Sequence, residues 1–301
     1  MKESILVTGA SSVIGKSLLP LLSQQSYQLH VISRRLEFLK NVHVASGYIC
    51  NLSSPALPQA FLQSIQKAEV QTLVHCAPLW LLPGHIAALA EAGAQRVIAF
   101  SSTSIEGKSS SSNSHEQKIV QLLSTSEQQL KTIAQSLNID LTLFRPTMIY
   151  GHGQGKNLAF IAKCIQKTSF FPVVTAASGL RRPVHANDLA QAVQLALSAQ
   201  MTYGKTYVLS GSEVMSYKEM VVKIFHALDK SVHILPLPLS VYKAVVFLIG
   251  KYSNLSMTPT MVERMRENLD YSSAPAKQDF GYSPGEFLPN GRADILSESG
   301  K

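Results

Sequence analysis

With 301 residues, 46% of them hydrophobic and 15% charged, the chain is long and apolar enough for one large α/β domain or two modest ones, which excludes a disordered or fibrous protein. The net charge of +8 fits nucleic acid, an anionic membrane face or a phosphorylated ligand. The basic residues are scattered rather than blocked, which disfavours a nucleic-acid patch and leaves a phosphorylated small molecule as the expected partner.

Ile5 to Val7 is a short apolar run ending in a turn, and Val13, Ile14, Leu18, Leu21 and Leu22 follow at helical spacing, so a strand enters a helix. Leu29 to Ile32 is a second strand. Apolar runs at 47–50, 72–77, 96–100 and 141–144 alternate with helical stretches near 56–67, 85–92 and 116–137. This alternation predicts an α/β fold, a Rossmann-like doubly wound parallel sheet whose ligand crevice lies at the carboxyl ends of its strands. Residues 1–150 are expected to form the Rossmann domain, completed by segments near 181–210, and 151–301 a smaller interleaved C-terminal lobe.

Ser109 to Ser114 is a polar tract expected to be a mobile surface loop beside the crevice. Leu239 to Gly250 is the most apolar segment, but it has about half the length of a membrane span and contains Lys243, so a packed helix is expected, with weak peripheral membrane contact as the alternative. No membrane span and no secretory leader is read, which points to a cytoplasmic protein. Cys50, Cys76 and Cys164 show no C-x-x-C spacing, so neither disulfides nor a metal site is expected.

The segment VTGASSVIG carries the first functional signal. Gly9 stands at the strand exit and Gly15 inside the first helical turns, where small residues let a pyrophosphate reach free N–H groups at the positive helix end. The segment resembles the TGxxGxxG loop of the short-chain dehydrogenase/reductase superfamily, in its extended, nucleotide-sugar epimerase/dehydratase-like branch. Thr8, Gly9 and Gly15 match, and Ser12 replaces the middle glycine. The resemblance implies cofactor contacts at Gly9, Ser11, Ser12, Val13, Ile14 and Gly15.

The likeness continues to about residue 287. Cys50-Asn51-Leu52 resembles the adenine-contact segment, with Asn51 in the acidic place. Leu73 to Pro78 resembles the fourth strand and its cofactor-flanking turn, and Phe100 to Gly107 the SSxxxYG segment. Arg145 to Gly151 is close to RPxxxYG, and Arg181 to Asp188 to R-x-x-V-H-x-x-D. Further cofactor contacts are thereby implied at Asn51, Leu52, Cys76, Ala77, Pro78, Ser101 and Pro146. In NAD-selective members a carboxylate closes the second strand; here Ser33 is followed by Arg34 and Arg35, which suit a 2′-phosphate. NADP is the expected cofactor, with NAD the alternative.

The family's redox chemistry uses a tyrosine with a lysine four residues later. None of the ten tyrosines is followed by a lysine at that spacing. Counting back from Glu127, which resembles the glutamate following the pair, the two places fall on Ile119 and Leu123; a slip of one turn would instead bring Lys118 or His115 towards the nicotinamide. Ser102 matches the residue that bonds the reacting oxygen and is the one catalytic candidate. Arg181 and Asn157 match residues that hold a sugar nucleotide, implying a phosphorylated ligand. Asp188 is expected to cap a helix over Leu189–Leu197, and the segment 279–287 to close the fold. Two functions follow: an atypical NADP-dependent oxidoreductase or epimerase, or a cofactor-sensing or assembly module that kept the fold and lost the chemistry.

Overall fold

The computed structural model describes residues 3–109, 111–155, 157–175, 177–242, 262 and 264–296. Its centre is a seven-stranded sheet of β1 (Ser4–Thr8), β2 (Gln28–Ser33), β3 (Ser46–Ile49), β4 (Thr72–His75), β5 (Arg96–Phe100), β6 (Asp140–Pro146) and β11 (Thr206–Leu209). The spatial order is β11-β6-β5-β4-β1-β2-β3, and every pairing is parallel. Strand order reverses between β1 and β4, the place where a doubly wound sheet opens a crevice at its carboxyl edge.

Both faces of the sheet's centre are covered, so its inner strands read as continuous apolar runs. Ile5, Val7, Val74, Ile98 and Phe100 point to one face, where they meet α1 (Val13–Ser23), α7 (Ala186–Leu197) and α9 (Ala274–Phe280). Leu6, Leu73, Val97 and Ala99 point to the other, against α2 (Gln59–Lys67), α3 (Ile86–Glu91) and α5 (Ser114–Ser136). The period-two alternation of side chains along each strand sorts them between the two layers.

A third cluster gathers residues from after position 147: α6 (Leu158–Thr168), α8 (Tyr217–Ala227), the parallel pair β8 (Phe171–Val174) and β13 (Ile234–Leu237), and Ile295 of α10 (Arg292–Ile295). Two further short pairs, β7 (Ile149–Tyr150) with β10 (Val184–His185) and β9 (Leu180–Arg181) with β12 (Met215–Ser216), lie among these elements. The order of elements places α7 and β11, which belong to the sheet layers, between elements of this cluster.

The strand expected over 72–77 stops at His75, because the turn Cys76–Pro78 leads into a 3₁₀ turn at Leu79–Leu81. The polar tract is more engaged than its composition suggests. Asn113 caps α5 by accepting from the amides of His115 and Glu116, and the Ser111 hydroxyl donates to Glu116 at 2.6 Å. The helix after β10 starts earlier than expected, and its cap is His185, whose Nδ1 accepts from the Asn187 amide. Asp188 sits in the first turn and accepts instead from the Gly285 amide at 3.0 Å, tying the closing segment to the fold. Of the packed helix expected over 239–250, residues 239–242 are helical, with Tyr242 buried and its hydroxyl donating to the Pro172 carbonyl, and the rest lies outside the described residues. Among the described residues no helix is long and apolar enough to cross a membrane.

Candidate functional site

The phosphate loop leaves β1 through Gly9, at φ +68°, in the left-handed region that glycine enters without penalty. A Cβ there would lie 2.2 Å from the Ala77 amide nitrogen, so the loop and the β4 turn pass in backbone contact. A Cβ on Gly15 would lie 2.4 Å from the Ala10 carbonyl, which brings α1 hard against the end of β1. The α1 first turn carries no acidic residue, and its leading amides have no acceptor within the helix, as an incoming anion requires.

Ser12 changes this arrangement in a specific way. It is the N-cap of α1, and its hydroxyl accepts the Gly15 amide at 3.0 Å. A glycine at this place would leave that amide free. Serine therefore stabilises the helix start and takes one donor that a phosphate would otherwise use.

His75 joins the same two loops. It is fully buried, and burial holds its imidazole down to about 4, opposed only in part by a bond to the Pro78 carbonyl. The neutral ring donates from Nε2 to Pro78 at 3.2 Å, so its Nδ1 accepts from the Thr8 hydroxyl at 2.7 Å. Ser101 follows β5, and its Oγ is buried without a hydrogen-bond partner. Ser33 ends β2 as a buried residue, while Arg34 and Arg35 beyond it are exposed. Asn51 is exposed, its Oδ1 accepting the Ser53 amide, and the Leu52 carbonyl accepts from His85 Nε2 at 2.9 Å. Cys76 is buried, Pro78 exposed, and Pro146 buried with its carbonyl held by the Thr103 amide and hydroxyl.

Beyond the carboxyl ends of β5 and β6 lies a cleft of about 720 Å³. Ser102, Asn157, Arg181, Glu116, Arg264 and Tyr271 are among its walls, so the catalytic candidate and both ligand candidates border one space. Ser102 is half-buried; its Oγ accepts the Ser104 amide at 3.0 Å and lies 3.0 Å from the Ser104 hydroxyl. Asn157 stands at the start of α6 and makes no capping bond with its side chain. Arg181 is only 3% exposed. Its guanidinium donates to the carbonyls of Leu180 at 2.8 Å, Glu267 at 2.6 Å, and Arg264, and burial lowers its affinity for the proton.

The register of α5 is pinned by a fork-to-fork pair. Arg145 donates from Nε and Nη2 to the two oxygens of buried Glu127, at 2.9 and 2.6 Å, and from Nη1 to Glu106 at 2.8 Å. Counting from Glu127 on this helix, Ile119 borders the cleft and Leu123 is buried in the layer with Leu130 and Ala134. His115 already borders the cleft from the first turn of α5, with no slip, whereas Lys118 is exposed and is not among the cleft-lining residues.

Sequence reading missed Glu116, Arg264, Lys108 and Tyr271. Arg264 donates to both Glu116 oxygens, at 2.7 Å from Nη1 to Oε1, and Lys108 stands 3.3 Å from the same carboxylate. Burial works against the charge on Glu116, but the bonds from Arg264 and Ser111 hold its carboxyl down to about 2. The partners lie 148 residues apart, and no local spacing announces them. Among the described residues no group of three or more metal-ligating side chains occurs.

Comparison with known proteins agrees with the fold. Residues 1–260 match the model of the RmlD substrate binding domain family. A UDP-glucose 4-epimerase from Vibrio cholerae is 22% identical over 314 residues, covering 97% of this chain and 94% of that protein. Among solved structures, UDP-glucuronic acid 4-epimerase from Bacillus cereus, in complex with UDP-glucuronic acid and NAD, superposes with a TM-score of 0.70 at 16% identity, covering 97% of this chain and 98% of that one. ADP-L-glycero-D-manno-heptose-6-epimerase from Helicobacter pylori gives 0.66 at 16% identity, covering 96% and 94%. The chain belongs to the RmlD substrate binding domain family, within the extended, epimerase/dehydratase-like branch of the short-chain dehydrogenase/reductase superfamily.

Proposed function

We propose that the protein binds NADP in the crevice at the β1–β4 switch point and a phosphorylated, nucleotide-sugar-like substrate in the adjoining cleft, acting on it as an atypical oxidoreductase or epimerase. The observation that carries the reading is the convergence of Ser102, Asn157 and buried Arg181 on one cleft at the carboxyl edge of the same sheet whose β1 leads into the phosphate loop. The similar proteins include an epimerase whose structure holds UDP-glucuronic acid and NAD. In this division of labour the layers around the sheet carry the cofactor, and the cluster after residue 147 forms the substrate lobe.

The residues present fit a dinucleotide. The glycine loop, an acid-free helix start and the unpartnered Ser101 hydroxyl face the needs of an anionic, hydroxyl-rich group. Arg34 and Arg35 would pair with a 2′-phosphate, and Ser33 raises no charge against it. When bound, the nicotinamide supplies hydride exchange. The chain's part is to hold the substrate anion at Arg181 and to position the reacting oxygen by a hydrogen bond from Ser102.

NADPH oxidation, NADP reduction and sugar epimerisation, assayed over a panel of nucleotide sugars, test the reading. Turnover that falls at least tenfold in Ser102→Ala is expected; complete inactivity with cofactor bound overturns the catalytic part. A second reading, a cofactor-sensing or assembly module, is favoured by one observation: Ile119 and Leu123 are apolar where the family's acid/base pair belongs, and Leu123 is buried in the core. Full retention of cellular activity by Ser102→Ala would select it.

A further inference from the structure

Most ionisable side chains on the cleft wall are committed to partners within the protein. Arg264 donates to both oxygens of Glu116, Lys108 stands 3.3 Å from the same carboxylate, and Asp270 stands 3.0 Å from Arg182 Nε. Buried Arg181 directs its donors to the carbonyls of Leu180, Glu267 and Arg264, and its guanidinium lies over the Tyr217 ring, 5.6 Å from the ring centre. Guanidinium groups do not give up their protons in proteins. Burial pushes the phenols of Tyr217 and Tyr271 up, so neither takes a proton near neutrality.

His115 differs from all of these. It is exposed on the cleft wall, and among the described residues its ring nitrogens have no hydrogen-bond partner. Its amide is held by the Asn113 cap at 3.0 Å, which sets it in the first turn of α5, four residues before Ile119, and both positions border the cleft. Residues at that spacing stand on one helix face with Cβ atoms about 5–6 Å apart. His115 therefore lies one turn from the place of the family's tyrosine, and imidazole is the side-chain type that exchanges protons between about pH 5 and 8.

We propose that His115 is the acid/base residue of the cleft, performing from a neighbouring turn of α5 the proton transfer for which the missing tyrosine is absent. The proposal rests on the reading that the cleft houses a redox step on a nucleotide-sugar-like alcohol, and it names the group that moves the proton there. With Ser102 bonded to the reacting oxygen, the O–H bond breaks as its proton passes to a free ring nitrogen of His115. The electron pair of the adjacent C–H bond leaves as hydride to an oxidised nicotinamide dinucleotide, so the alcohol becomes a ketone. In reverse the imidazolium returns its proton to the oxygen as the hydride comes back to carbon. Lys108, Glu116, Arg264 and Tyr271 share the cleft with His115, and the closed Lys108–Glu116–Arg264 cluster leaves none of its members free to relay that proton.

Two measurements on the full chain test the proposal. Diethyl pyrocarbonate modifies accessible neutral imidazoles, and its reaction at His115 is read by mass spectrometry. Saturating UDP-glucose, with binding established separately by calorimetric titration, is expected to slow that reaction at least fivefold. An unchanged rate with UDP-glucose bound overturns the proposal and leaves the nucleotide-sugar reading standing, whereas no binding of UDP-glucose removes that reading and the role of His115 with it. In the second measurement, His115→Gln is expected to lower kcat at least about a hundredfold on whichever nucleotide sugar turns over, to leave KM within threefold, and to abolish the acid-side fall of the pH–rate profile. A structural histidine would alter stability or KM and leave the profile in place. Retention of kcat within threefold by His115→Gln overturns the proposal, and its loss in Tyr271→Phe instead would assign the proton to that phenol.

Discussion

The phosphate-loop region and the cleft are built by opposite means. The phosphate-loop region comes from short segments, each joining a strand to the next turn or helix: the loop 8–15, the end of β2 and the turn 76–78. The cleft is assembled from residues scattered between 102 and 271, and its central ion pair spans 148 positions. The first kind of site is fixed by backbone geometry, the second by long side chains meeting across the fold. Backbone geometry admits few residue types, so the phosphate-loop region is intolerant of substitution, whereas charge in the cleft can be rearranged within an unchanged frame.

That contrast can be broken most severely at Gly9. Valine there meets the Ala77 amide at 2.2 Å and a left-handed φ, and it should abolish dinucleotide binding and cost more than about 3 kcal/mol in chemical denaturation. Arg145→Met leaves Glu127, 5% exposed at its side chain, without its partner. A loss of about 3 kcal/mol is expected, and an unchanged denaturation midpoint would remove the pinning role given to this pair. Acid probes the cleft. The Glu116 carboxyl is depressed from 4.5 to about 2, so its contribution to stability is complete above about pH 4.5 and disappears as pH falls towards 2. Glu116→Gln should remove that part of the acid-unfolding slope.

Smaller effects sharpen the account of the cofactor. Replacing Arg34 and Arg35 by alanine should weaken NADP about tenfold, roughly 1.4 kcal/mol, and leave NAD unchanged. Equal losses for both would point to general electrostatics rather than the 2′-phosphate. Ser12→Gly should release the Gly15 amide and tighten either dinucleotide about threefold, at a cost of a few tenths of a kcal/mol in helix stability. Weaker binding in this variant would mean that the serine hydroxyl itself holds the phosphate.

Much of the fold was legible because the inner strands β1, β4 and β5 are short apolar runs buried on both faces, and the helices between them keep a 3.6-residue period. The boundaries moved where caps decide them, as at His185, because a histidine accepting through Nδ1 is not a common cap signal. The polar tract does lie largely at the surface, as its composition says, but the engagement of Asn113 and Ser111 with α5 is a matter of capping geometry that composition does not carry. At the site, Arg181, Asn157 and Ser102 could be proposed because they sit in recognisable strings. Arg264 and Glu116 could not, since their meaning comes only from meeting each other. Ser12 was visible as a departure from the glycine pattern, but its capping bond to Gly15 is a matter of rotamer and distance.

The Arg145–Glu127 fork has a consequence for redesign. By locking the phase of α5 against β6, it fixes the directions of positions 119 and 123, whatever side chains occupy them. The helix is thus a calibrated mount whose two fittings can be exchanged. Position 119 faces open volume and can accept an aromatic ring by substitution alone, whereas a charged group at 123 would first need Leu130 and Ala134 recut to make room and solvent for it.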